Sequence, residues 1–454
     1  MDTGLRKIMC GTGWPMARLN RTQVIMRWIA VCAILACMTT LSARPFRFAR
    51  PLTEITTDAR VQQALARLTA DAAATTDEQV RITEIPAPPF HETARGEYLS
   101  KLLAAAGLQV HTDEVGNVIG ERAGKSKSDM VVIAAHLDTV FPPNTDVRVK
   151  REGGRLYAPG ISDNGTGLAA LVALARAMRD AKIETRSTIM FVADVGEEGE
   201  GNLRGMRKLV ETYRKQMRYV IALDGSSTDY ITTAALASRR IEITVAGPGG
   251  HSWSDFGAPN PIHALARGMA RFVKIPVPEN PRTTFNVGEI EGGTSVNSIP
   301  AKASIKVDLR SESEPELGRI ETRFREAIQT GIDEEMAAAR DRGMAAKGLT
   351  STVQVLGIRP GGELATSSPL LAAVLAADDF VGNRSRIERS STDANIPLSV
   401  GIPAISIGAG GHSTGAHTFD ESYDPGGREL GLRRVLIALL GVAGIDSAAH
   451  DVRP

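Results

Sequence analysis

The chain has 454 residues, enough for two domains and a sizeable core. Its 53 Lys and Arg nearly balance 52 Asp and Glu, and only 4% of residues are aromatic, which argues against nucleic acid or an anionic membrane surface as a partner. All three cysteines, Cys10, Cys32 and Cys37, fall in the first 40 residues; the rest of the chain has no disulfide framework and must bind any metal through nitrogen and oxygen.

At the amino terminus, Arg21 and Arg27 precede an apolar run of 11 residues, 28–38. That is short for a bilayer span but suits the core of a signal peptide, with small residues at Ser42 and Ala43 for cleavage. Ile34-Leu-Ala-Cys37 also resembles a bacterial lipobox, in which Cys37 would carry a lipid anchor. A buried helix is the third alternative. Residues 1–43 are assigned to the signal, which predicts an exported protein of the periplasm or cell envelope.

Beyond it, helical patterns at 93–108 and 165–178 alternate with continuous apolar runs at 131–135, 188–195 and 219–223. Strands that are apolar almost throughout predict a mainly parallel sheet covered on both faces, an α/β fold that collects ligands at the carboxyl ends of its strands. This main domain takes residues 60–237 and resumes over 356–445. Between them, in 238–355, the strands at 240–245 and 303–310 alternate apolar with polar. Such strands pack one face on helices, here predicted at 261–273 and 315–328, as an inserted α/β sandwich. The second helix is introduced by Ser313-Glu-Pro-Glu316, a capping box with proline in the first turn. The Ala-rich stretch 334–347 predicts an extra surface helix.

The three apolar runs end at His136, at Glu197-Glu198 and at Asp224. Two residues beyond His136, Asp138 can accept a hydrogen bond from the second ring nitrogen of the imidazole and fix its tautomer. Asp163 stands among glycines in Gly160-Ile-Ser-Asp163-Asn-Gly, either as a helix N-cap or as a carboxylate free to offer one oxygen to each of two metals. Adjacent carboxylates such as Glu197 and Glu198 are costly unless a cation or a shared proton offsets them. His417, in Gly415-Ala-His417-Thr, adds nitrogen late in the chain. His91, His111, His263, His412 and His450 have no comparable setting and are taken as surface or structural.

Ala-His136-Leu-Asp138-Thr, Gly-Ile-Ser-Asp163-Asn-Gly, Gly-Glu197-Glu198-Gly, Leu-Asp224-Gly and Gly-Ala-His417-Thr together resemble the M20 metallopeptidases, over about residues 75–440. The resemblance implies two divalent ions bridged by Asp163, zinc with manganese or cobalt as alternatives. One ion would also take His136 and Asp224, the other Glu198 and His417. Glu197 would be the general base and Asp138 the support of His136. The inserted domain would serve as lid and homodimer interface, with His251 of Gly247-Pro-Gly-Gly-His251-Ser, Asn297 and Arg310 binding substrate. Ser391-Thr392-Asp393-Ala-Asn395 is similar to the family's substrate-side loop. The activity implied is hydrolysis of an amide near a free terminus of a small peptide. A deacylase acting on N-acyl amino acids would use the same machinery, and a binding protein that has lost catalysis would keep only the fold.

Overall fold

In the computed structural model, residues 52–344 and 348–446 are described. The signal segment 1–43, with Cys37, lies outside them, as do His450 and residues 345–347.

Val131, Val132, Ile133, Ala134 and Ala135 are all at most 1% exposed. Successive strand residues point to opposite faces, so burial at every position means that both faces are covered. This strand, Ser126–His136, lies parallel between Ser187–Asp194 and Met217–Leu223, and Ala404–Ile407 continues the parallel set beyond the latter. Register places His136 opposite Asp194 and Ile133 opposite Ile221. Val118–Arg122 and then Gln109–Thr112 extend one side antiparallel, while Tyr230–Ala235, Gly362–Glu363 and Arg386–Ser390 complete the other. Helices Gly165–Asp180, Pro369–Val381 and Arg428–Ala443 share the sheet's core. Each Val, Leu or Ile fully buried there contributes about 1.5–3 kcal/mol. The helix expected at 93–108 stops at Ala105, ahead of Gly107 in the left-handed region at φ 86°.

A second sheet is antiparallel throughout, in the order Thr283–Gly292, Lys302–Ser311, Ala237–Ala246, Thr350–Arg359. Here burial alternates: Ile241, Ile243 and Val245, with Ile305, Val307 and Leu309, pack with helices Pro261–Phe272 and Glu314–Asp341 into a separate core. Phe272 anchors it, with ring centroids 4.4 Å from Phe285 and 4.8 Å from Phe324. Ser313 caps the second helix by accepting the Glu316 N–H.

That helix corrects the sequence reading. It was expected to end at residue 328, with a separate surface helix over 334–347; instead one helix runs from Glu314 to Asp341. No proline interrupts it past the first turn, and Gly331, which would weaken an isolated helix, here lets it lie against the backbone of Gly268, where a Cβ would come within 2.4 Å of the Gly268 nitrogen. The later turns are not all surface either. Glu335 is fully buried, accepting Arg267 Nε at 3.2 Å and the Asn260 N–H at 3.3 Å.

Candidate metal centre

His136 is the last residue of its strand, and the chain leaves the sheet through Leu137 and Asp138. The imidazole Nδ1 lies 3.0 Å from the Asp138 backbone carbonyl. The Asp138 carboxylate, expected to hold that ring, is 3.7 Å from Nδ1. It instead accepts the backbone N–H groups of Glu197 at 3.0 Å and Glu198 at 2.8 Å. Because the strand ends at His136, the two-residue alternation no longer governs Asp138, and its side chain turns to the neighbouring strand's exit.

Asp163 precedes helix Gly165–Asp180, whose N-cap is Asn164, accepting from the Gly167 N–H. The capping alternative for Asp163 is thereby settled against. Its loop is held by Glu421, which is buried and accepts the N–H groups of Gly160, Ser162 and Asp163 and the Ser162 hydroxyl, at 2.7–3.0 Å. Glu421 follows His417 on a hairpin formed by His412–Thr414 and Ser422–Asp424, and the latter strand pairs with Arg155–Tyr157. His417 sits on the connection at φ 66°, a left-handed conformation rare outside glycine.

The five residues expected at one site do converge. Asp163 Oδ1 is 3.1 Å from His136 Nε2, and Asp163 Oδ2 is 3.0 Å from His417 Nε2. His417 Nε2 is 2.9 Å from Glu198 Oε1, and Asp224 Oδ1 is 4.0 Å from His136 Nε2. Ligand atoms of His136, Asp163 and Glu198 all lie within 4.8 Å of one another.

Hydrogen placement shows what this arrangement requires. The Asp138 carbonyl can only accept, so His136 Nδ1 carries the hydrogen. A neutral His136 would then point the Nε2 lone pair at Asp163 Oδ1, a buried oxygen without a hydrogen-bond partner. Something positive must lie between them, a proton or a metal cation. The ionisation shifts agree. Hydrogen bonds to Asp163 and Glu198 push His417 up to about 11. Burial opposes charge on His136, yet the Asp138 and Asp163 carboxylates outweigh it and raise that imidazole well above its ordinary value. Burial, then the charge of Asp163, lifts Asp224 to about 7. Burial lifts Glu197 to about 8, with Arg359 opposing and Glu198 adding to the rise. The group is short of positive charge, and the nitrogen and oxygen donors suit a divalent cation.

A cavity of about 230 Å³ opens onto these residues. Its acidic wall comes from the strand ends and its basic wall from the polar face of the second sheet, with Ser238, Arg240, Arg310 and Arg359. Asp308 lies between two of the guanidinium groups, 2.6 Å from Arg310 Nε and 3.5 Å from Arg240 Nε. Ser390 and Ser391 also line the cavity, whereas Asp393 is buried beside Asp194. Burial, then the charge of Asp194, raises Asp393 well above the usual carboxylate range, and burial raises Asp194 to about 6.

His251 and Asn297 are exposed and do not line this cavity. His251 pairs with Ser298 on a short two-stranded ladder, Asn297 directly precedes that strand and accepts the Ser252 N–H at 3.0 Å through its carbonyl, and His251 Nδ1 accepts the Trp253 N–H at 3.1 Å. Arg359 and Glu421 were missed by the sequence reading. Glu421 stands four residues after His417 in the sequence, but an acid near a histidine does not announce that it binds backbone; Arg359 carried no signal.

Residues 132–437 match the model of peptidase family M20/M25/M40. The uncharacterized protein YqjE of Bacillus subtilis is 24% identical over 350 residues, covering 74% of this chain and 89% of that protein. The succinyl-diaminopimelate desuccinylase of Acinetobacter baylyi is 25% identical over 257 residues, covering 52% of this chain and 67% of the relative. Among solved structures, the aminopeptidase PepT of Bacillus cereus shares the fold with a TM-score of 0.63 at 22% identity, over 84% of this chain and 99% of that one.

Proposed function

The chain belongs to peptidase family M20/M25/M40 and is a hydrolase, and on that premise we propose that it cleaves an amide bond near a free terminus of small peptides. The observation that carries this reading is the Asp163 carboxylate, divided between His136 Nε2 at 3.1 Å and His417 Nε2 at 3.0 Å. Asp163 would bridge two divalent ions, zinc by its suitability for mixed imidazole and carboxylate donors, with manganese or cobalt also fitting. His136 and Asp224 would complete one position, Glu198 and His417 the other. When bound, two such ions supply the Lewis acidity that acidifies a water and polarises the amide carbonyl.

Glu197 is the proton carrier in this reading. It removes a proton from the attacking water and delivers it to the leaving amine. Asp138 holds the turn that carries it, through the N–H groups of Glu197 and Glu198. Arg310, half exposed at the cavity, would donate to a substrate carboxylate. His251 and Asn297, exposed at that ladder, would act on substrate only across a homodimer formed through the second sheet's side of the molecule. Export, directed by residues 28–38, with a lipid anchor at Cys37 as the alternative to a cut near Ser42 and Ala43, completes the proposal.

A second reading is hydrolysis of N-acyl amino acids. Arg240 and Arg310 facing the cavity favour an acyl group that is itself acidic, as does the name of the desuccinylase relative. One experiment separates the readings: chelator-treated protein is reloaded with zinc, manganese or cobalt, then given a free tripeptide, its two singly blocked forms and an N-succinyl amino acid. Cleavage of the tripeptide, lost when one particular terminus is blocked, supports the peptidase and identifies the end it requires. Turnover of the succinyl compound alone would replace that reading with the deacylase, and no turnover of any of the four with metal bound would reject both.

A further inference from the structure

Arg359 is the last residue of strand Thr350–Arg359 and stands opposite Ser238 in the register of the second sheet. Its side chain is 8% exposed, against 41% for Arg310. The guanidinium does not turn into open solvent but reaches the glutamate turn of the other sheet. Nη1 donates to Glu197 Oε1 at 2.8 Å and to Ser391 Oγ at 3.1 Å, and Nη2 donates to the Glu197 backbone carbonyl. One planar group therefore grips both the main chain and the carboxylate of a single residue. A guanidinium's donors have fixed directions, so such a grip permits one orientation of the carboxylate where an ammonium would permit several.

We propose that Arg359 is the positioning residue for the base: by engaging Glu197 Oε1 it holds the carboxylate so that Oε2 is the oxygen presented to the attacking water. The proposal rests on Glu197 being the base. A role in binding a substrate carboxylate fits Arg359 less well than Arg310, because Nη1 and Nη2 of Arg359 are already engaged by Glu197 and Ser391, whereas Arg310 pairs with Asp308 through Nε. Arg359 also ends a strand of the second sheet, so the orientation of the base is set from that sheet and not only from the strand that carries it.

The test compares R359Q, R359K, E197Q and the double variant E197Q/R359Q in the metal-loaded protein, by kcat, KM, metal content and melting temperature. R359Q is expected to lose about a hundredfold in kcat, the scale of a misplaced catalytic group, with KM and metal content little changed. R359K, which can still pair with Oε1 but cannot grip the carbonyl as well, should recover part of kcat. In the E197Q background R359Q should cause no further loss, because Arg359 acts through the carboxylate that is gone. A rise in KM at unchanged kcat, or a further hundredfold loss on top of E197Q, would overturn the proposal. E197Q with wild-type kcat would instead remove the base itself, and the role of Arg359 with it. If R359Q melts early or loses metal, R359K alone decides the matter: a deficit confined to kcat supports positioning, and one confined to KM refutes it.

Discussion

The two sheets contribute to one cavity by different geometric means. In the larger sheet the central strands are buried on both faces over the residues that lead to the site, leaving no strand face free for chemistry there, and polar groups enter where the chain leaves the sheet: His136, Glu197, Glu198 and Asp224. In the smaller sheet one face packs on two helices while the other remains polar, and Ser238, Arg240, Arg310 and Arg359 come from along that face. The difference teaches that strand ends suit a compact cluster of ligands converging from several directions, whereas a strand face suits a row of donors spaced to meet an extended anionic group. It also divides the charge, acidic on one side of the cavity and basic on the other.

The largest effects are expected at the strand ends of the larger sheet. Glu197→Ala should lower kcat at least about a hundredfold while elemental analysis finds the metals still bound; near-normal turnover with intact metal would remove the base. Next, His136→Ala should lower metal affinity by more than the roughly 10–100-fold typical of losing a partner that only orients a ligand, measured by competition with a chromogenic chelator. Unchanged affinity would mean that His136 is no ligand. Both changes should leave the second sheet's core alone.

Ile133, fully buried in the double-covered strand, should cost about 2–5 kcal/mol when replaced by alanine, read from the midpoint of urea unfolding. At the smaller sheet, Ser313→Ala removes the cap of the long helix and should cost about 1 kcal/mol. A negligible effect there would show that packing alone fixes the start of the helix.

Much of this was legible in the chain because the larger sheet writes its pattern locally. Uninterrupted apolar runs closing on His136, Glu197-Glu198 and Asp224 mark strand ends, and glycines on both sides of Asp163 mark a tight loop. What failed to show depends on distant partners. Arg359 meets Glu197 across 162 positions and Glu421 meets Ser162 across 259, and no local pattern specifies either meeting. The side chain of Asp138 was misjudged because strand periodicity was carried two residues past His136, where the strand stops. The long helix Glu314–Asp341 was cut in two at a change of composition, from mixed to Ala-rich, around Gly331, whose weak helix propensity is overridden by its close packing on Gly268.

The position of His417 and Glu421 in the chain bears on how the protein matures. Both follow the last strand of either large sheet, Ala404–Ile407, yet Glu421 secures the loop of Asp163, made more than 250 residues earlier. On a ribosome adding about 5–20 residues per second, His136, Asp163, Glu198 and Asp224 spend many seconds without the hairpin that completes their cluster. If these residues hold the proposed ions, a cation arriving before that hairpin docks would meet only part of its coordination set, and full-affinity capture would come at the end of assembly and could not template its beginning.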